Sequence, residues 1–138
     1  MEEEKKLIPN HILFNLIEEM LNNGHRASFT VTGMSMWPFL CHGRDYVIVE
    51  KVHPIDLKKG DVVLLKTMTG VYLLHRITSI NNLAFETTGD GNCFRDGFFP
   101  QSCAKAKVCS VIRKNREISC DTISWKVLSA IWIFLYPV

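Results

Sequence analysis

Four side chains have types and spacing that could carry chemistry: Ser35 in Thr32-Gly33-Met34-Ser35-Met36-Trp37-Pro38, His75 in Leu73-Leu74-His75-Arg76-Ile77, and the carboxylates Asp90 and Asp96. A hydroxyl is a weak nucleophile near neutral pH. It needs a base within hydrogen-bond reach, a group that orients the base, and donors for the oxyanion. Gly33 allows a sharp turn or close backbone approach ahead of Ser35, and Pro38 fixes the chain just beyond it. Taken singly, each feature has an ordinary explanation: the Ser35 segment is a turn, a lone strand histidine is more often structural, and either Asp is a turn former. Taken together, they supply a nucleophile, a base and a carboxylate.

Five short motifs occur in order: Gly33 to Pro38, Gly43-Arg44-Asp45, Gly60-Asp61, His75-Arg76-Ile77, and Gly89-Asp90-Gly91-Asn92 followed by Asp96. Over roughly Phe29 to Arg113 this series resembles the signal peptidases of the endoplasmic reticulum and archaeal type. Their superfamily also holds the LexA-like self-cleaving repressors. The resemblance implies a serine endopeptidase with Ser35 as nucleophile, His75 as general base, and Asp96 or Asp90 as the orienting carboxylate, Asp96 being preferred. The oxyanion would be met mainly by backbone N–H groups of Gly33, Met34 and Ser35. Related enzymes pair serine with lysine, but here His75 is followed by Arg76, which cannot act as a base near neutral pH. Lys66, the nearest strand lysine, would need another register. Substrates implied by the resemblance are leader or precursor peptides bound as extended strands, with small side chains beside the scissile bond. Two other readings are a catalytically inactive peptide-binding module and a LexA-like self-cleaving regulator, the latter disfavoured because no DNA-binding domain precedes the first helix.

The elements that must position these groups are legible in the hydrophobic pattern. Ile8, Ile12, Leu16 and Met20, flanked by Leu13, Ile17 and Leu21, predict an amphipathic helix with Pro9 in its first turn and Gly24 at its stop. From Ala27 onward, short runs rich in Val, Ile, Phe, Tyr and Thr predict strands at 28–32, 46–52, 61–67, 71–80, 83–88 and 106–113. Thr69-Gly70 and Asn81-Asn82 read as hairpin turns, and Lys59-Gly60-Asp61 punctuates the approach to the third strand. The expected fold is mainly β: a LexA/signal peptidase-like antiparallel fold with an N-terminal amphipathic helix and a C-terminal apolar helix. Its segments are 1–26 (helical), 27–118 (catalytic β domain) and 119–138 (apolar helix).

The tail from Ile123 to Val138 is sixteen residues long and contains Lys126, short of the roughly twenty apolar residues that a span requires. It reads as a helix packed on the domain, with peripheral membrane contact as the main alternative. The basic stretch before it, which includes Lys105, Lys107, Arg113, Lys114 and Arg116, would favour an anionic leaflet. The start Met1-Glu2-Glu3-Glu4-Lys5-Lys6 reads neither as a cleavable signal nor as an anchor. Five cysteines without paired spacing favour free thiols and a cytoplasmic setting. Cys41-His42 finds no further ligand at a metal-binding spacing, so no metal or cofactor is expected. A net charge of +2 is too small to point to nucleic acid.

Overall fold

The computed structural model describes residues 10–30, 36, 40, 43–81, 84–90 and 96–135. Helix α1 (Asn10–Asn22) is followed by strands β1 (Ala27–Thr30), β2 (Asp45–Glu50), β3 (Val62–Lys66), β4 (Tyr72–Ile80), β5 (Ala84–Thr88), β6 (Gly97–Pro100), β7 (Ala104–Arg113) and β8 (Arg116–Ser119). Helix α2 (Ile123–Leu135) comes last. The strands form one antiparallel sheet in the order β1-β2-β7-β3-β4-β5-β6, with β8 pairing β7. The mainly antiparallel β fold with a helix at each end is therefore as expected.

Two strands were not anticipated, for local reasons. β6 is the four-residue Gly-Phe-Phe-Pro, and β8 is the four-residue Arg-Glu-Ile-Ser; neither is long enough to show alternation. Lys114 and Asn115, at φ 53° and 65°, turn β7 into β8, and positive φ at both central residues is the hairpin geometry matched to strand twist. The β3–β4 hairpin turns through Thr67–Gly70, where Gly70 (φ +88°) donates its N–H to the Thr67 carbonyl.

Alternation along the strands builds two cores, one on each face of the sheet. Val62, Leu64, Ala106 and Val108 pack with Val47 and Val49, and with Ile17 and Leu21 of α1. Val63, Leu65, Ile77 and Phe85 pack with Val52 and Cys103 on the other face. Helix α1 does not bury its whole apolar band. Ile17 and Leu21 are buried, whereas Ile12, Leu16 and Met20 are 42–52% exposed, so the contact stripe lies one residue round from the line of four-residue repeats; Ile8 is outside the described residues. Leu13 and Phe14 complete that stripe, Phe14 meeting Phe29 edge-on and Tyr72 stacked.

Thr122 caps α2, its hydroxyl accepting the Trp125 N–H and its carbonyl the Lys126 N–H. Trp125 then joins the α1 side of the core. Ile123, Val127, Leu128 and Ile131 remain exposed. Among the described residues no helix is long and apolar enough to cross a membrane.

Candidate active site

His75 and Arg76 are neighbours in the middle of β4, and the pleat sends their side chains to opposite faces. His75 opposes Val63 of β3 and belongs to the face that carries Ile77 and Phe85. Both side chains are buried, His75 at 6% exposure and Arg76 at 0%. Each meets a different carboxylate from the segment that follows β5.

On the His75 face, Nδ1 lies 2.5 Å from Asp96 Oδ2. The same Asp96 oxygen accepts the Thr87 hydroxyl at 2.8 Å, and the Asp96 N–H donates to the Thr87 carbonyl at 2.8 Å. Asp96 is thus pinned by backbone and side chain to β5 before it reaches the imidazole. An imidazole that donates Nδ1–H to a carboxylate presents Nε2 as its basic atom. Thr87, fully buried, was missed as a site residue in the sequence; the Thr-Thr-Gly-Asp run announced only the end of a strand.

On the Arg76 face, Nε and Nη2 donate to the two Asp90 oxygens, both at 2.8 Å, and Nη1 donates to the Gly60 carbonyl at 2.9 Å. Burial pushes the Asp90 carboxyl up from its ordinary range, against the pull of the Arg76 hydrogen bonds and charge. Asp90 therefore ties β4 to the end of β5, and through Arg76 to the Gly60 turn. The turn itself is clasped to β4 by Gly60 N–H to Ile77 carbonyl and Ile77 N–H to Asp61 carbonyl, each 2.8 Å.

The nucleophile candidate Ser35 lies outside the described residues, as do Gly33, Met34, Pro38, Cys41 and His42. Its sequence neighbour Met36 is described and is 2% exposed; Met36 Sδ accepts the Asp90 N–H at 3.4 Å. Met36 and Asp90, 54 positions apart, therefore meet. Lys66 pairs with Tyr72, its ammonium 5.2 Å from the centre of that ring, on the sheet face opposite His75. In the Gly43-Arg44-Asp45 motif, the buried Asp45 receives both Arg44 and Arg113. Asp61, the acid of the Gly60-Asp61 motif, accepts the Lys58 N–H at 2.9 Å.

Among the described residues no group of three or more His, Cys, Asp or Glu side chains could hold a metal ion. Cys103, Cys109 and Cys120 are free thiols. Neither the protein-family models nor the curated proteins compared with the chain give a match.

Proposed function

We propose that this protein is a serine endopeptidase of the signal peptidase-like type that processes leader or precursor peptides, with Ser35 as nucleophile, His75 as general base and Asp96 as the orienting carboxylate. The observation that carries this reading is the buried His75–Asp96 hydrogen bond, braced by Thr87. A histidine held in one tautomer by a carboxylate is the part of a catalytic triad that a purely structural strand residue does not need.

In the proposed reaction, Ser35 Oγ attacks the scissile carbonyl carbon and its proton passes to His75 Nε2. The oxyanion is met by backbone N–H groups of the Gly33–Ser35 stretch, and His75 returns the proton to the leaving amine. Water then hydrolyses the acyl-enzyme ester by the same route. Asp90 has a structural part here, neutralising Arg76 behind the histidine. The enzyme uses no metal or cofactor and works in the cytoplasm, with the outer face of α2 in peripheral contact with a membrane.

The test compares the native protein with Ser35→Ala and His75→Ala on a library of extended peptides. Each substitution is expected to lower turnover by at least about a hundred-fold. Equal turnover by all three proteins would sink the assignment. Tight peptide binding without turnover by the native protein would replace it with a peptide-binding module, and a discrete self-generated fragment would replace it with a self-cleaving regulator.

A further inference from the structure

We propose that a second cleft, on the face of the protein away from His75, binds an amphipathic organic anion that enters as a single molecule. The cleft lies where β3 and β8 part company along the same edge of β7, and the inner side of α2 roofs it. Its volume is about 640 Å³, within the range of pockets that enclose small ligands.

Two observations define the ligand. The first is Ser129 of α2, 6% exposed and lining the cleft, whose Oγ has no hydrogen-bond partner. A buried hydroxyl left unpaired costs about 1–3 kcal/mol, and a polar group of a bound molecule would remove that cost. The second is the charge of the rim. Lys58, Lys59, Lys107 and Lys126 all line the cleft, and none of them makes an ion pair with another described residue. The acidic residues beside them are Glu50, Asp61 and Asp121, and Glu50 is engaged by Arg26 at 3.2 Å. Burial pushes the Asp61 carboxyl up from its ordinary value, against the pull of the Lys58 N–H and of the Lys107 and Lys58 charges. Four lysines against three carboxylates, one of them already engaged by Arg26, leave positive charge in excess around a wall made of Trp125, Val62, Val108 and Ile133. A ligand with an apolar body and an anionic head fits that combination: the body lies on Trp125 and Ile133, the head meets the lysines, and a polar group reaches Ser129. This site is independent of the peptidase reading, because none of its residues belongs to the Ser35, His75 and Asp96 set.

The experiment measures binding of the fluorescent anion 1-anilinonaphthalene-8-sulfonate to the whole protein and its displacement by decanoate, by decyltrimethylammonium, and by vesicles of phosphatidylcholine with added phosphatidylglycerol. One dye per chain should bind and be displaced by decanoate but not by the cation. Lys107→Met combined with Lys126→Met should weaken decanoate binding at least about tenfold, and Ala130→Trp at the rim should abolish it. Ser129→Ala should weaken decanoate while leaving the ligand-free melting temperature the same or higher, an outcome that also shows the variant to be folded. Equal displacement by the cation, or decanoate affinity unchanged in the lysine and Ala130 variants, would overturn the proposal. Displacement by vesicles alone would overturn it in favour of a lipid surface.

Discussion

At the scale of single residues, His75 and Asp96 form a unit whose value lies in direction. Asp96 Oδ2 accepts from both His75 Nδ1 and Thr87 Oγ1, so the carboxylate cannot swing without breaking two bonds. Asp96→Asn retains the shape but can present an amide N–H to Nδ1, which would select the tautomer with its proton on Nε2. Turnover is expected to fall by up to about ten-thousand-fold while the melting temperature changes little, as read from peptide hydrolysis beside a thermal melt. Asp61 offers a test of charge instead. Burial pushes its carboxyl above its ordinary range, chiefly by desolvation. A folded-state value above the unfolded one means that its stabilising contribution is complete below that unfolded value and is lost as pH rises through the folded one. Asp61→Asn, whose amide oxygen can still accept the Lys58 N–H, should match the native protein at about pH 4 and exceed it at about pH 7 in urea unfolding. A native advantage that grew with pH would contradict this account.

At the scale of elements, β4 acts as a partition with one hydrogen-bonded pair on each face. His75 and Asp96 occupy one side; Arg76, Asp90 and the Gly60 carbonyl occupy the other. The Arg76 side is a clamp between the β4 centre, the end of β5 and the turn that begins β3. Its two charges are almost wholly shielded from solvent, with side-chain exposures of 0% and 3%. Removing one charge strands the other, so Arg76→Met is expected to cost about 3–5 kcal/mol in denaturant unfolding. Arg76→Met with Asp90→Leu should recover most of that loss, since a buried pair replaced by apolar groups is often neutral. Failure of the double variant to recover would mean that the clamp also holds the Gly60 turn through the Nη1 hydrogen bond.

At the scale of the whole molecule, the sheet with its two cores is flanked by helices that bury one face and expose another. α2 leaves Ile123, Val127, Leu128 and Ile131 in solvent, and its own Lys126 is exposed, as are Lys114 and Arg116 at the β7–β8 turn. Such a face, apolar with basic neighbours, suits the headgroup region of an anionic bilayer. The protein is expected to sediment with vesicles rich in phosphatidylglycerol. Leu128→Glu with Ile131→Glu should reduce the bound fraction severalfold, and added salt should weaken it as the lysine and arginine charges are screened. Sedimentation indifferent to both changes would remove α2 as the contact.

By itself the sequence determined what depends on neighbours along the chain: the two described helices, six of the eight described strands, the turn at Gly70, and the residue types that could make a nucleophile, a base and a carboxylate. These are local matters of period, β-branching and positive φ. β6 and β8 escaped because four residues are too few to display a period, and the Lys114-Asn115 turn lacks the glycine that usually marks such hairpins. Tertiary structure alone decided the partnerships. Asp90 and Asp96 were both credible orienters of His75; alternation in β4 and pairing of β5 with β6 brought Asp96 to the histidine and Asp90 to Arg76. It also chose which stripe of α1 is buried, made Thr87 a brace for Asp96, and enclosed Ser129 in a cleft of lysines. Each of those outcomes depends on which distant segment arrives at a given face, and strand register and chain path set that only once the cores have packed.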